Sequence, residues 1–402
     1  MIRLGSRRFA RPMRSCLPMS KHKSDPVYVR ASVWPKCNLD CTYCPVSEGM
    51  ENRVPAPLAG HKLTTAEYLR NLRAIAAAGV GGVSFTGGEP TLRADLGEMI
   101  RAVRPHFERV ELTTNGVRLG AVAETIKTNI DLLKVSLDST NPETVLRLTG
   151  HKHAFDHAVR AIGWAVHNGV ALGVNAVAMR STLDGIDKTV EYVRGLTRNA
   201  VSPVHLSLLD FYYSQARRRE WLAEFVPTSM VLDQLKTRFG DPVIQDRFGC
   251  RFYWFDAGGL RVRLKDSFSA TMRAAKCGKC PAYCQEGVFG VKHSVEGWFT
   301  TCPSNDERKG LHLARDLDDD ALAGRVRQVL ADVGSAVLEP CSFEQMCNVH
   351  ALHGYETAGV IIQKGEMHHD KQVASEAQQC EDDRHLFALG RLLRLRGEDR
   401  AV

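Results

Sequence analysis

The chain of 402 residues is 44% hydrophobic and 25% charged, enough for one barrel-sized domain and a smaller second unit with ample core. Its 53 basic against 46 acidic residues leave a mild net charge of +7. No basic run is interleaved with aromatics, which argues against nucleic acid as a partner and favours a small anionic one. No run of roughly 18 apolar residues exists to cross a membrane.

In chain order, residues 1–26 hold seven Lys or Arg before the first acid, Asp25. The stretch superficially resembles an organellar transit peptide; a disordered basic tail, or a start at Met13 or Met19, is the simpler reading. A strand-then-helix rhythm follows. VYVRASV (27–33) alternates as a strand does, and LTTAEYLRNLRAIAAAG opens on Thr64-x-x-Glu67, a capping box, then runs apolar at helical spacing to Gly79. Next come GGVSFTGG, a helix near Leu96 to Val103, RVELTTNG, a helix after Val117, DLLKVSLDS, a helix from about Phe155 to Asn168, VALGVNAVAM, a helix from Gly185, and VHLSLLD. These six units predict an α/β fold, a partial (β/α)6 TIM-type barrel over 27–240. Residues 241–350 form a cysteine-rich extension. Residues 351–402 are charge-rich, with helical periodicity in DRHLFALGRLLRLRG, and read as a helical tail.

The twelve cysteines gather as Cys37, Cys41, Cys44 and as Cys277, Cys280, Cys284, Cys302. Such clustering reads as metal ligation in a reducing, cytoplasmic setting and not as a disulfide framework. Three thiols within KCNLDCTYCP are one short of a closed zinc site and one too many for a disulfide, so they suit a centre that keeps a coordination position open. In barrels the chemistry sits at the C-terminal strand ends. There the chain places the cysteine trio, Gly87-Gly88-Glu89-Pro90, Thr113-Thr114-Asn115-Gly116, Ser136 with Asp138, Asn175 in strand five, and Asp210.

Cys-x-x-x-Cys-x-x-Cys after the first strand with Gly-Gly-Glu-Pro after the second resembles the radical S-adenosylmethionine (SAM) superfamily. The resemblance implies that Cys37, Cys41 and Cys44 ligate three irons of a 4Fe-4S cluster. It implies that SAM chelates the fourth iron, and that an electron from a flavodoxin- or ferredoxin-type donor releases a 5′-deoxyadenosyl radical to abstract substrate hydrogen. By the same resemblance Gly87, Gly88, Glu89 and Pro90 border the SAM amino group, glycine serving because backbone approaches the ligand. Tyr43 sits against adenine, Thr114 and Asn115 belong to the cofactor site, and Ser136, Asp138 and Asn175 are candidates for the ribose and carboxylate.

Within the superfamily, the stretch from Val27 to Arg180 is similar to the GTP cyclase of molybdenum-cofactor biosynthesis, the MoaA-like branch. There Arg30 matches an arginine that helps hold a triphosphate. Two departures point away from GTP: Gly173 replaces a basic residue, and CGKCPAYCQEGVFGVKHSVEGWFTTCP lacks the cyclase's arginines and spacing. Cys284, a hairpin turn at Gly297 and Cys302 resemble twitch and SPASM extensions, implying an auxiliary 4Fe-4S cluster with Cys280 as third ligand; Cys277, Cys341 and Cys347 compete for any fourth place. A zinc knot is the alternative, since Cys277-x-x-Cys280 is common in zinc ribbons.

DFYYSQARRREW after strand six offers Tyr212, Tyr213 and Arg217 to a phosphate or base, or simply starts a solvated helix. The histidines of HKH (151–153) and MHHD (367–370) read as surface residues, and Cys16, Cys250 and Cys380 as isolated. Three functions follow as expectations. The first is a radical SAM cyclase or lyase acting on a small, phosphorylated or nucleotide-like substrate, making or rearranging a carbon–carbon bond in cofactor or natural-product (nucleoside-antibiotic) biosynthesis. The second is a peptide-modifying maturase, and the third a non-catalytic iron-sulfur or zinc protein.

Overall fold

The computed structural model describes residues 28–44, 62–211, 217–226, 228–247, 250–266, 272–274, 291–300, 310–313, 316–334, 338–340, 360–363 and 366–369. Six parallel strands form its centre: β1 (Tyr28–Trp34), β2 (Gly82–Gly87), β3 (Arg109–Thr114), β4 (Leu132–Ser136), β5 (Leu172–Ala178) and β6 (Val204–Asp210), paired in sequence order. Between them run helices α1 (Thr65–Ala77), α2 (Leu96–Val103), α3 (Ala123–Asn129), α4 (Pro142–Thr149), α5 (Ala154–His167), α6 (Arg180–Leu183) and α7 (Ile186–Thr197). Alternate strand residues such as Val29, Ala31, Val83, Phe85, Leu112, Val174 and Leu206 are buried with the apolar stripes of these helices in one core, as expected when a parallel sheet is covered on its helical side.

Helices α8 (Arg218–Glu224) and α9 (Thr228–Phe239) follow β6. The sheet does not stop at residue 240. Strands β7 (Val243–Arg247), β8 (Cys250–Asp256) and β9 (Arg261–Asp266) extend it beyond β6, with β9 parallel to β6. After β10 (Met272–Ala274), strands β11 (Val291–His293), β12 (Trp298–Thr300) and β13 (Gly310–His312) extend the opposite edge, with β11 parallel to β1. The result is a sheet of 12 strands. The extension thus supplies strands to both edges of the barrel, giving partners to the backbone groups of two otherwise open edges. Helix α10 (Asp319–Gly334) packs on α1, with Arg70 bonded to Asp319 at 2.6 Å. β14 (Leu338–Pro340) pairs with β10, and β15 (Val360–Gln363) pairs antiparallel with β16 (Glu366–His369). The described part of the segment expected as a helical tail is thus a strand pair; DRHLFALGRLLRLRG lies outside the described residues.

The capping box stands as spaced in sequence. Thr64 Oγ1 accepts from Glu67 N at 3.3 Å while Glu67 accepts from Thr64 N at 2.8 Å, satisfying donors that the first turn of α1 leaves free. Thr64→Ala is expected to lower stability by about 1 kcal/mol, read from urea unfolding of the full chain with an unchanged slope.

Candidate active site

The cysteine loop leaves β1 at Trp34 and is held on three sides. From β2, Gly88 N donates to Trp34 O at 2.7 Å and Glu89 N to Lys36 O at 2.8 Å. A Cβ on Gly87, whose φ is +141°, would press on the Trp34 carbonyl, and one on Gly88 would press on the Lys36 carbonyl. The glycines are thus required by the approach of two strand ends to each other. From α4, the carbonyls of Thr149 and Leu148 accept Asp40 N and Thr42 N at 3.1 and 2.8 Å. From α8's start, Arg217 reaches Asp40 Oδ1 at 2.7 Å and the Cys44 carbonyl at 3.3 Å. Arg217, expected to face substrate, instead braces this loop, since a carboxylate and a carbonyl stand within its fork.

Glu89 is 1% exposed, and its carboxylate takes four donors: Thr91 N at 3.0 Å, Thr91 Oγ1 at 2.5 Å, Thr114 Oγ1 at 2.6 Å and Asn115 N at 2.8 Å. Burial pushes its pKa up against these donors. Pro90, also buried, begins the short turn that Glu89 caps. Asn115 turns its amide to Asn38 Oδ1 at 2.8 Å and to Cys37 Sγ at 3.7 Å. Glu89 therefore joins the ends of β2 and β3, and Asn115 carries that join to the first cysteine.

Tyr43 donates to Asp138 Oδ2 at 2.6 Å, and Asp138 Oδ1 accepts Val177 N at 2.9 Å. The Tyr43 ring stands edge-on to Phe211 at 6.2 Å in an apolar cluster with Leu148, Met179 and Trp221. Burial raises Asp138 and Tyr43 alike. Ser136 and Asn175 are register partners on adjacent strands, both half-buried. Cys37, Cys41 and Cys44 are half-buried and none of them forms a disulfide. Burial pushes Cys37 and Cys41 up, Cys41 further through Asp138, Cys44 and Cys37. No described trio of His, Cys, Asp or Glu converges on a single ion, and thiolates that each take a separate iron do not need to. Three soft thiols on one braced loop, with no fourth thiol in its sequence, fit a cluster with one open iron.

Deeper in the barrel, Arg30 lies on the interior face of β1, in register with Ser84 and Lys292. Gly173 has the His205 ring over it: a Cβ there would meet His205 Cε1 and Nε2 at 2.9 Å. Lys134 pairs with Glu111 beside them. The sequence reading named neither α4 nor His205. The Asn141-Pro142-Glu143 start and Gly150 stop of α4 were available signals, whereas His205 over Gly173 is a cross-strand contact with none. Tyr212, Tyr213, Cys277, Cys280, Cys284 and Cys302 lie outside the described residues. The hairpin turning at Gly297, φ +96°, is present between β11 and β12.

Residues 31–193 match the radical SAM superfamily. Among curated relatives the chain is 36% identical over 170 residues to a probable GTP 3′,8-cyclase of Methanocella arvoryzae, covering 42% of this chain and 53% of that one. It is 32% identical over 220 residues to the mitochondrial GTP 3′,8-cyclase of Arabidopsis thaliana, covering 53% of each. The chain thus spans about half the length of these relatives. In fold it is similar to Streptococcus suis SuiB bound to S-adenosylmethionine, with a TM-score of 0.51 at 16% identity over 75% of this chain and 68% of that one. It is likewise similar to anSMEcpe with bound AdoMet and peptide, with a TM-score of 0.50 at 14% identity over 92% and 99%. No described helix is long and apolar enough to cross a membrane.

Burial, with Arg263 and Lys134 nearby, depresses the His205 pKa to about 3. A histidine kept neutral by the fold contributes fully above its unfolded value, about 6.5, and loses that contribution as pH falls from there toward 3, where the unfolded chain takes the proton. His293, pushed to about 3 by burial, acts alike. Unfolding free energy should therefore fall between about pH 6 and 4, and His205→Gln should remove one proton's worth of that slope, about 1.4 kcal/mol per pH unit. Urea unfolding across this range, set against the parent, measures it.

Proposed function

We propose that the chain is a radical SAM enzyme, MoaA-like in its barrel, that acts on a small anionic substrate, phosphorylated or nucleotide-like, and makes or rearranges a bond within it during cofactor or natural-product biosynthesis. The observation that carries this reading is the braced loop of Cys37, Cys41 and Cys44 at the mouth of a parallel barrel whose interior carries Arg30. When bound, a 4Fe-4S cluster with SAM supplies a 5′-deoxyadenosyl radical able to take a hydrogen atom from substrate. The three cysteines would hold the cluster. Glu89, Asn115 and the backbone bonds of Gly88 and Glu89 keep those thiols in place; Tyr43 and Asp138 close one side of the loop. Ser136 at the end of β4 and Asn175 within β5 are the candidates for the ribose and carboxylate of SAM.

Arg30 offers a planar fork for a phosphate or carboxylate, two parallel charge-assisted bonds at set geometry. Gly173 with His205 in place of a basic residue supports a substrate other than GTP. The Gly297 hairpin supports an auxiliary cluster on Cys280, Cys284 and Cys302, with Cys277 as the further candidate, since it returns the chain on itself between the second and third of these.

Cys41→Ala should abolish dithionite-driven release of 5′-deoxyadenosine by anaerobically reconstituted protein and lower its iron by about four of about eight per chain. A variant that cleaves SAM at the parent rate would remove the trio from the chemistry, and a parent with about four irons and one zinc would replace the auxiliary cluster with a zinc knot.

A further inference from the structure

The strand that leads into the cysteine loop is held by side chains of α1 as well as by the backbone of β2. Tyr68 of α1, 0% exposed, donates its hydroxyl to the Ser32 carbonyl at 2.9 Å and to the His293 carbonyl at 3.2 Å. One phenolic hydrogen is thus shared between two carbonyls, one on β1 and one on β11. These strands pair in parallel as far as Ala31 and His293, so the hydroxyl stands where their ladder ends. The His293 ring, also fully buried, lies against the Tyr68 ring at 4.6 Å.

The residues just before Tyr68 grip the same two segments again. On the β1 side, Arg93 donates to the Val33 carbonyl and to Thr65 Oγ1, both at 2.9 Å, and Lys62 Nζ stands 5.8 Å from the centre of the Trp34 ring. On the hairpin side, Leu63 N donates to Val295 O at 2.9 Å, and the Leu63 side chain packs at the turn, where a Cβ on Gly297 would meet its Cδ1 at 3.3 Å. The turn closes on itself through Ser294 N to Trp298 O at 2.9 Å and Gly297 N to Ser294 O at 3.1 Å. Residues 62–68 therefore bracket β1 and the β11–β12 hairpin. In sequence Trp34 precedes Cys37 by three residues, and Thr300, at the hairpin end opposite the turn, precedes Cys302 by two, a chain reach of about 7 Å. Cysteines of both groups thus follow directly on elements that Tyr68 joins.

We propose that Tyr68 is a positioning residue that couples the two cysteine groups: its shared hydroxyl fixes the hairpin to the root of the Cys37–Cys44 loop, so that a metal centre at the far end of the hairpin sets the geometry of that loop. The inference rests on the reading above for both groups holding metal. Strands β11 and β12 are three residues each. Tied at Cys302, the hairpin keeps its turn against Leu63 and its His293 carbonyl on the Tyr68 hydroxyl; untied, it releases that carbonyl, and the end of β1 loses one of its supports. Coupling of this kind travels through contiguous packed side chains and hydrogen bonds. Hydrogen bonds to the sulfurs and solvent exposure tune the potential of an iron-sulfur cluster, so a displaced loop changes how readily the first cluster takes an electron.

A mutant cycle on the anaerobically reconstituted full chain tests this, with the parent, Cys302→Ala, Tyr68→Phe and the double variant. Potentiometric titration followed by electron paramagnetic resonance, without SAM, reads the cluster whose signal disappears in Cys41→Ala. Cys302→Ala is expected to change the reduced-to-oxidised ratio of that cluster at fixed potential by about threefold or more, within the span carried by packed networks, and to leave it unchanged once Tyr68 is Phe. A merely structural Tyr68 would lower the melting temperature on substitution and leave the Cys302→Ala change intact, which overturns the proposal. Should Tyr68→Phe fail to fold, Leu63→Ala, which removes the side chain at the hairpin turn, takes its place in the cycle with the same outcomes. Metal content separates the failures. A Cys302→Ala protein that loses no metal overturns the second centre and the coupling with it, whereas metal loss with no change in ratio overturns the coupling alone. A parent that shows the coupling and does not cleave SAM overturns the radical SAM reading and leaves the role of Tyr68 standing.

Discussion

Two backbone hydrogen bonds, from Gly88 N to Trp34 O and from Glu89 N to Lys36 O, tie the end of β2 to the start of the cysteine loop. The rest of the site hangs on that contact. It is possible only because positions 87 and 88 carry no Cβ, and it places Glu89 where its carboxylate can collect Thr91, Thr114 and Asn115. Asn115 then reaches Asn38 and Cys37. The chain from glycine to thiol is continuous, so the position of the first cysteine depends on the absence of two methyl-sized side chains one strand away.

The barrel interior answers a different constraint. Its helical side is apolar and close-packed, while its inner side holds cations, one pre-committed carboxylate and a histidine that burial keeps neutral. The thiols thus stand at the strand ends, and the charged side chains lie deeper inside.

Much of this was legible in the residues. Period-two and period-3.6 patterns located the six barrel strands and helices such as Leu96–Val103, and Thr64-x-x-Glu67 located the start of α1, because these signals are local. The three cysteines and the two glycines were legible as a site because such residues have few other reasons to cluster. What was not legible is long-range. The pairing of β9 with β6 and of β11 with β1 joins segments with no periodicity in common; the turn of Arg217 toward Asp40, and of the His205 ring over Gly173, depends on which neighbour the fold supplies. The approach of Gly87 and Gly88 to the Trp34 and Lys36 carbonyls is likewise visible only in the fold.

Backbone contact between the first two strand ends sets the position of the cysteine loop. Gly88→Ala tests it most directly, through iron content and far-UV circular dichroism after anaerobic reconstitution. A Cβ against the Lys36 carbonyl should displace the loop, so the variant is expected to keep the parent's helical signal but lose about four irons per chain. A Gly88→Ala protein with the parent's iron content and SAM binding would contradict the claim.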